Sequence, residues 1–363
     1  MPAGVAVLLT IVLAAAMVTG FLFVSGRSYL LQRLPGAPPP PPTLAGTVQH
    51  SPGGTYWGAF LPGADQDQSV IANFASTVGR KPAIVTIYQQ WAGEPAFPAA
   101  AARWMQDRGT APLIVWEPWR PDLIGKAAVE QPAYRLSVIA SGGFDGYVRR
   151  YADQIKAFAG PVFLETLHEM NGTWYPWGGT VNGNTAADYV AAWRHLHDLF
   201  RAEGATNVTW TWTPNGETVP NTAANKPKAY WPGAQYVDWV GIDSYNWGPS
   251  GVTEWRTFAQ MFDANLAALS TFGKPIVIAE TASVEKGGDK AAWITTLFET
   301  LTGPDHDAVG AVIWFNKAMP GYDWRTSTSA ASQAAFNAGV ARPGMLSAGQ
   351  LSVGAGATAS PAS

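Results

Sequence analysis

The chain has 363 residues, of which 47% are hydrophobic and 13% charged, and its formal net charge is −3. This composition excludes disorder over most of the chain and provides no basic face for nucleic acid or an anionic membrane. With no cysteine, the chain has no disulfide, zinc–thiolate site or cysteine nucleophile. Its 17 Trp residues fit a groove for a neutral carbohydrate better than a nucleotide pocket.

The N-terminal segment is apolar and long enough to cross a bilayer. Residues 1–25 form an almost uninterrupted apolar run, and about 20 such residues span the hydrocarbon layer. We expect a membrane anchor here, with a cleaved secretion signal as the alternative. The first basic residues, Arg27 and Arg33, follow the run. The positive-inside rule taken alone would therefore place the remaining chain in the cytoplasm.

Two stretches of low complexity flank the part that we expect to fold. Residues 26–50 include five consecutive prolines, 38–42, and are predicted to be a semi-rigid linker. Residues 342–363 are mostly Gly, Ala and Ser without periodicity and are predicted to be disordered. The catalytic domain is therefore expected at 51–341, as a monomer.

Between these ends, short apolar runs alternate with longer amphipathic ones. The strand-like runs are 56–60, 83–88, 112–116, 162–167, 208–213, 237–242, 276–279 and 308–315. Helical patterns between and after them include 146–159, 186–202, 255–271, 290–301 and 329–339. Eight strands that alternate with helices predict an α/β fold, the (β/α)8 TIM barrel. Active residues of this fold lie at the C-terminal ends of the strands.

The fourth predicted strand ends in a segment typical of a polar cleft. His168 and Glu169 follow the apolar run, then come Asn171 and the aromatic residues Trp174 and Trp177. Sugar rings stack on aromatic faces and need polar partners for their hydroxyl groups. We interpret Glu169 as the proton donor of a sugar-cleaving enzyme; the alternative is a carboxylate that caps a helix or pairs with an Arg. For His168 the alternative is a core histidine bonded to backbone.

Hydrolysis of a glycosidic bond with one carboxyl group as proton donor also needs a second carboxyl group opposite the first. Glu280 ends the seventh predicted strand and is the best candidate. All strands of a closed barrel end at one mouth, so Glu169 and Glu280 can approach each other despite their separation in sequence.

Other strand ends add aromatic and polar residues to the predicted mouth. The candidates for substrate contact there are Trp116, Glu117, Tyr245, Asn246 and Trp314. Two alternatives stay open: aromatic residues also fill barrel cores, and Glu117 could anchor a loop. No metal-ligand cluster or phosphate-binding glycine loop is convincing, so we expect neither a metal nor a cofactor.

Glu165 shares one side of its strand with Glu169 and is predicted to point into the barrel. A buried carboxyl group needs a partner. Either it accepts an indole N–H from Trp210, Trp212 or Trp314, or it is itself protonated.

The segment His168-Glu169-Met170-Asn171-Gly172, followed by 174–177, resembles the acid/base motif of glycoside hydrolase family 26, the β-mannanase family. Further matches stand in the family's order at 116–118, 143–147, 230–233, 239–246 and 278–280. The resemblance implies a retaining endo-β-1,4-mannanase with Glu169 as acid/base and Glu280 as nucleophile. It also suggests His168, Trp174, Tyr245 and Trp314 as lining residues.

The resemblance leaves the substrate open. Four residues before the acid/base the family commonly has Arg, whereas this chain has Glu165. The same mechanism could act on a β-glucan, a xylan or a secreted exopolysaccharide. A non-catalytic carbohydrate-binding surface protein is the third alternative, but it would need no paired Glu. For a polysaccharide substrate we expect the domain outside the cytoplasm, anchored through residues 1–25 or secreted.

Overall fold

The computed structural model describes residues 46–250 and 253–354, and its centre is a closed barrel of eight parallel strands. Each strand pairs with the next in the chain, and the first pairs with the last from Tyr56–Ala311 to Phe60–Phe315. The strands are β1 (Thr55–Phe60), β2 (Ile84–Gln90), β3 (Ala111–Glu117), β4 (Val162–Thr166), β5 (Val208–Trp212), β6 (Trp239–Asn246), β7 (Ile276–Ser283) and β8 (Val309–Phe315). The predicted (β/α)8 barrel is confirmed.

Helices surround the barrel and connect most of its strands. The longer ones are α1 (Ser69–Val78), α2 (Ala99–Gln106), α3 (Asp145–Phe158), α4 (Ala186–Glu203), α5 (Phe258–Ser270), α6 (Lys290–Leu301) and α7 (Ala330–Val340). Two short helices, Lys126–Val129 and Leu136–Ala140, precede α3. Among the described residues the connection from β5 to β6 has only 3-10 turns, at Ala223–Asn225, Pro227–Tyr230 and Ala234–Tyr236.

Strand side chains alternate between the barrel interior and the helices outside, as the two-residue period of a strand requires. The interior is apolar near its N-terminal end, where Tyr56, Phe163 and Ile313 belong to one buried cluster. The outward side of β8 is occupied by Trp314, which packs against Trp293 of α6 with ring centroids 6.2 Å apart. Each strand therefore aims alternate residues at two different cores.

The N-terminal end of the barrel is covered by residues from both ends of the described chain. A short strand, Thr47–Val48, pairs antiparallel with Val353–Gly354. The Val48 N–H donates to Thr209 Oγ1 at 2.8 Å, and the Trp239 indole donates to the Val48 carbonyl at 3.0 Å. This lid leaves the opposite, C-terminal end as the barrel's mouth.

The structure corrects the prediction of disorder for residues 342–354, whereas residues 355–363 lie outside the described part of the chain. Met345–Leu346 adds a short parallel strand beside β1, and the chain stays ordered to Gly354 through the pairing with residues 47–48. Met345 is buried, so this stretch contributes apolar contacts that its Gly- and Ala-rich composition concealed.

No helix within residues 46–250 and 253–354 is long and apolar enough to cross a membrane. The predicted anchor at 1–25 and most of the predicted linker at 26–50 lie outside the described residues.

Candidate active site

Glu169 lies just beyond β4, on the loop that leaves the barrel at its mouth. β4 ends at Thr166, and Leu167 and Glu169 both have a φ of 52°. Residues other than glycine rarely adopt this left-handed conformation, which costs on the order of 1 kcal/mol and concentrates at functional sites. The Glu169 N–H donates to the Thr213 carbonyl at 2.7 Å, so this loop is tied to the end of β5.

Two side chains hold the Glu169 carboxyl group. The Trp174 indole N–H donates to Oε2, and the Asn215 amide donates to Oε1 at 2.6 Å. Gly172 makes this possible, because a Cβ at that position would lie 2.3 Å from the Trp174 ring. Trp174 is half-buried, so its ring can serve both this carboxyl group and a ligand.

Glu280 belongs to β7 and faces the same mouth. It stands opposite Asp243 of β6, just past a shift in the register of the two strands. Such irregularities re-aim side chains next to active sites. The Tyr88 hydroxyl donates to Glu280 Oε1 and the Tyr245 hydroxyl donates to Oε2. Both oxygens of Glu280 are therefore held by neutral donors.

The environment of Glu169 favours its protonated form. Glu169 and Glu280 are each only 8% exposed. Burial, followed by the negative charge of Glu280, raises the pKa of Glu169 to about 8, although the bonds from Asn215 and Trp174 oppose the rise. At neutral pH this carboxyl group therefore carries a proton that it can donate.

The environment of Glu280 contains more groups that favour ionisation. Burial raises the pKa of Glu280, and the bonds from Tyr245 and Tyr88, followed by the charge of Lys317, oppose that rise. Hydrogen bonds to the charged form and a nearby cation both stabilise a carboxylate. Glu280 thus has one more neighbour that favours its charged form than Glu169 has, and glycoside hydrolysis uses carboxyl groups whose environments differ in this way.

Three more carboxyl groups are buried at the mouth: Glu117, Glu165 and Asp243. Within the described chain, neither oxygen of Glu165 or Asp243 has a hydrogen-bond partner. Burial, reinforced by the charge of Glu280, raises the pKa of both well above their usual range. Burial also raises the pKa of Glu117 to about 8, although Gln90 donates to its Oε2 at 2.5 Å.

These observations decide between the two alternatives for Glu165. The Trp314 indole donates to the Trp324 carbonyl at 2.8 Å instead, and among the described residues Glu165 receives no hydrogen bond. The prediction that an indole N–H donates to Glu165 is therefore wrong. The raised pKa agrees with the other alternative, a protonated carboxyl group inside the barrel.

His168 is buried and neutral. Burial lowers the pKa of its imidazole to about 3. The ring packs against Tyr175 at 4.8 Å and Trp177 at 5.5 Å between centroids. Its Nε2 lies 4.0 Å from Glu117 Oε1, and its Nδ1 has no partner among the described residues. The alternative of a histidine fully bonded to backbone is not what the structure has.

His168, Asp243 and Glu280 are close enough to be considered as metal ligands. One donor atom from each lies within 4.8 Å of the others. Ligands on one zinc ion, at about 2 Å from the metal, stand closer together, at roughly 3.3 Å. The three side chains would have to contract around an ion, whereas Glu280 already has a hydroxyl donor on each oxygen.

All the residues predicted to contact substrate except Trp174 are buried, and five of them lie behind the site: Trp116, Asn171, Trp177, Asn246 and Trp314. Their polar atoms are used within the protein. The Trp177 indole donates to the His168 carbonyl at 2.6 Å, and the Trp116 indole donates to the Tyr147 hydroxyl at 2.9 Å. The expectation of direct sugar contact is corrected for this set, because these side chains have no open face.

The two asparagines of this set fasten loops of the mouth. The Asn171 amide donates to the Asn215 carbonyl at 2.8 Å, and its Oδ1 accepts the Asn215 N–H at 2.8 Å. Asn171 therefore positions the residue that bonds Glu169. Asn246 Oδ1 accepts the N–H of Gly248 at 3.3 Å and of Arg256 at 3.1 Å, which shapes the loop after β6.

Two residues of the site have a role that was not predicted from the sequence. Tyr88, in β2, donates to Glu280, and Asn215, after β5, donates to Glu169. Both lie at predicted strand ends, so the rule that selected Tyr245 could have selected them. Phe315 was also passed over in favour of Trp314. The Phe315 ring lies 5.4 Å from that of Tyr245, on the side of β8 that faces the mouth.

A closed (β/α)8 barrel with paired carboxyl groups from the ends of β4 and β7 defines the class of barrel glycoside hydrolases. The sequence profile of glycosyl hydrolase family 26 matches residues 140–319. Endoglucanase H of Acetivibrio thermocellus is 36% identical over 283 residues, which are 77% of this chain and 29% of that protein. The chain belongs to glycosyl hydrolase family 26.

Other relatives agree with this assignment, and solved structures share the fold. A mannan endo-1,4-β-mannosidase of Bacillus subtilis is 31% identical over 90 residues, 23% of each chain. The modular endo-β-1,4-mannanase of Cellulomonas fimi superposes with a TM-score of 0.65 over 86% of this chain and 77% of its own, at 17% identity. The Bacteroides ovatus β-mannanase gives 0.61 over 82% and 91%, at 18% identity. At such identities the superpositions show the shared fold.

Proposed function

We propose that the chain is a retaining endo-β-glycosidase in which Glu169 is the acid/base and Glu280 the nucleophile. The observation that carries this proposal is that two buried carboxyl groups at one mouth have different surroundings, which favour ionisation of Glu280 more than ionisation of Glu169. Glu280 accepts hydrogen bonds from two tyrosine hydroxyls, whereas the charge of Glu280 helps to raise the pKa of Glu169 to about 8. One group is prepared to attack and the other to donate a proton.

In the first step, a Glu280 oxygen attacks the anomeric carbon and forms an ester bond with the sugar. The glycosidic C–O bond breaks, and its oxygen takes the proton of Glu169, so that the leaving sugar departs as a neutral alcohol. Trp174 and Asn215 hold the donor carboxyl group in place during this transfer.

In the second step, a water molecule replaces the departed sugar. Glu169, now ionised, removes a proton from the water, whose oxygen attacks the anomeric carbon and releases Glu280. The reversal of role follows from the electrostatics. Once Glu280 is an ester it carries no charge, so one cause of the raised pKa of Glu169 disappears and the group becomes able to serve as a base.

We propose β-1,4-mannan as the substrate. Several relatives are mannan endo-1,4-β-mannosidases, including one from Caldalkalibacillus mannanilyticus that is 32% identical over 107 residues. The names of other relatives support the alternatives, since Endoglucanase H is 36% identical and a β-1,3-xylanase of a Vibrio species is 23% identical. A β-glucan, a xylan or a secreted exopolysaccharide is therefore the second candidate class. Glu165, which we infer to be protonated, stands at a position where the family commonly has Arg. This difference supports retaining the second substrate class as an alternative to mannan.

The test is to incubate the domain with mannan, β-glucan, xylan and bacterial exopolysaccharides and to analyse the released oligosaccharides. We expect mannan to yield a ladder of short β-1,4-linked products from internal cleavage. Glu280→Ala serves as the matched control for contaminating activity, and it should bind oligosaccharide without releasing products. Binding without hydrolysis by the unmodified domain would instead favour a carbohydrate-binding surface protein.

We also propose that the domain acts outside the cytoplasm as a monomer, anchored through residues 1–25 or secreted. The support is the apolar run followed by the proline-rich linker in the sequence and the polymeric nature of the proposed substrate. Protease accessibility in intact cells tests the location. Light scattering of the purified domain tests the oligomeric state.

A further inference from the structure

Among the described residues, Lys290 is the only lysine or arginine that is fully buried, and the proposed catalytic steps do not use it. It is the first residue of α6. Its Nζ donates to the Arg325 carbonyl at 2.7 Å, to Thr328 Oγ1 at 2.9 Å and to the Asp323 carbonyl at 3.4 Å. An ammonium group has three donors, so each donor of this lysine has an acceptor in the segment 323–328 after β8.

The surroundings of Lys290 keep it charged at neutral pH. Burial lowers the pKa of Lys290 to about 8. The charges of Glu285 and Asp323 oppose this fall, whereas the charge of Arg325 adds to it. The ammonium group also lies 5.8 Å from the centre of the Trp314 ring. Hydrogen bonds from a charged donor are stronger than neutral ones, so Lys290 holds the segment 323–328 firmly against α6.

The bonds from Lys290 fix the backbone around Trp324. Two of the acceptors, the carbonyls of Asp323 and Arg325, stand on either side of Trp324 in the chain. The Trp324 carbonyl itself accepts the Trp314 indole N–H at 2.8 Å. Three consecutive carbonyls are therefore held by side chains of α6 and β8, which leaves the backbone at Trp324 little freedom to move.

The Trp324 ring packs against a residue that bonds the proposed nucleophile. Trp324 is 1% exposed, and its ring centroid lies 4.9 Å from that of Tyr245 and 5.7 Å from that of Phe315. The Tyr245 hydroxyl donates to Glu280. A continuous path of contacts therefore leads from Lys290, through Trp324 and Tyr245, to the nucleophile.

We propose that Lys290 is a positioning residue for the proposed nucleophile. It holds the chain on both sides of Trp324, and the Trp324 ring keeps Tyr245 in place to donate to Glu280. This inference rests on the proposed function, which gives Glu280 its role. The cation whose charge acts on Glu280 is Lys317, so Lys290 acts through contacts. Supporting residues of this kind hold catalytic groups within the small tolerance that a reaction allows.

The first experiment measures kcat/KM against pH for Lys290→Met in the full chain with the best substrate. Methionine keeps an apolar stem of similar length but removes all three donors. The bond from Tyr245 favours the ionised form of Glu280, so a misplaced Tyr245 should raise the pKa of Glu280 and move the acid limb to higher pH. We expect kcat/KM at the optimum to fall by about 10-fold.

Lys156→Met is the matched control for this measurement. Lys156 is exposed on α3, and its Nζ also donates to a backbone carbonyl, that of Glu203, at 2.8 Å. The control should leave kcat/KM within about two-fold of the parent and should not move the acid limb.

The second experiment separates positioning from a general loss of structure by a double-mutant cycle. If Lys290 acts through the Tyr245 hydroxyl, Lys290→Met should lower kcat/KM by less than about three-fold in a chain that already carries Tyr245→Phe. Thr328→Val, which removes one acceptor, supplies a milder variant should Lys290→Met not fold. It should move the acid limb in the same direction, and Thr328→Ser, which keeps the hydroxyl, should restore the parent profile.

The third experiment, hydrogen exchange followed by mass spectrometry, tests the bonds of Lys290 without any activity. The Trp324 N–H donates to the Lys317 carbonyl at 3.0 Å. The peptide that contains this amide should exchange about 10-fold faster in Lys290→Met and at the parent rate in Lys156→Met.

Unchanged exchange in Lys290→Met would overturn the proposal. Faster exchange with an unmoved acid limb, or a full loss of kcat/KM in the Tyr245→Phe background, would also overturn it, because Lys290 would then be a structural residue only. A parent chain that hydrolyses no polysaccharide, while its exchange depends on Lys290 as expected, would refute the proposed function and leave the contacts of Lys290 established.

Discussion

Asn215 donates its side-chain amide to Glu169 across 2.6 Å, and this bond joins the loop after β5 to the proposed proton donor on the loop after β4. The contact has two consequences. It orients the carboxyl group, and it opposes the rise in the pKa of Glu169 that burial and the charge of Glu280 cause. Because Asn215 does both, its replacement should change both the reaction rate and the pH dependence of that rate.

Asn215→Ala removes a bond that favours the ionised form of Glu169, so the pKa of Glu169 should rise further. The protonated form is the active one in the first step, and activity is lost as the pH rises through this pKa. We therefore expect the basic limb of the kcat/KM profile to move to higher pH, with the maximum falling by about 10-fold or more because the acid is less well oriented. A basic limb that stays in place or moves to lower pH would contradict this role.

Tyr245→Phe should affect the opposite limb. The Tyr245 hydroxyl favours the ionised form of Glu280, so its removal raises the pKa of Glu280, and activity then appears only at higher pH on the acid side. We expect a loss of about 100-fold in kcat/KM at the optimum. Tyr236→Phe, a change on the β5–β6 connection away from the mouth, is the control. An unmoved acid limb would show that Glu280 is not the group titrating there.

Glu165→Gln tests the inference of a protonated carboxyl group inside the barrel. The pKa of Glu165 is raised in the folded state, mainly by burial. Its favourable contribution is therefore present below the unfolded pKa of about 4.3 and is lost as the pH rises through the folded pKa. The variant cannot ionise, so the difference in melting temperature, variant minus parent, should increase between pH 5 and pH 9. Exposed Glu254→Gln is the control. A difference that shrinks with pH would mean that Glu165 is ionised.

Asn171→Ala separates a structural role from substrate contact. Asn171 is buried and bonds the chain around Asn215 through both its amide and its carbonyl, so the free energy of unfolding should fall by about 3 kcal/mol. Denaturant titration measures this loss. Asn73→Ala, on the exposed surface of α1, should change it by less than about 0.5 kcal/mol. Unchanged stability together with a raised KM would restore Asn171 as a direct substrate ligand.

The barrel could be predicted because its strands are short apolar runs between amphipathic helices, and each run lies within a few residues of an observed strand. The prediction ended β6 at Ile242 and β7 at Ala279, whereas the strands continue to Asn246 and Ser283. Those extensions are polar because they form the mouth, so hydrophobicity could not reveal them. The β5–β6 connection, which has only 3-10 turns among the described residues, likewise has no periodic pattern to read.

The proposed catalytic pair followed from strand ends, but which aromatic residue faces the mouth did not. Trp314 and Phe315 are neighbours on β8, and strand alternation sends one towards the helices and the other towards Tyr245. The sequence predicts that neighbouring strand residues point in opposite directions, but it does not show which of the two faces the mouth. At β4 the alternation itself breaks, because Leu167 and Glu169 adopt a positive φ, and this turn buries Asn171 and Trp177 beneath the mouth.

The proposed mechanism requires that Glu280 becomes covalently bonded to the sugar. The most direct measurement is mass spectrometry of peptides from enzyme incubated with a 2-deoxy-2-fluoro glycoside of the best substrate, since the fluorine slows release of the intermediate. We expect one added glycosyl mass on the peptide that contains Glu280. A label on Asp243 or Glu117, or an active enzyme that forms no ester and releases the inverted anomer, would contradict the account.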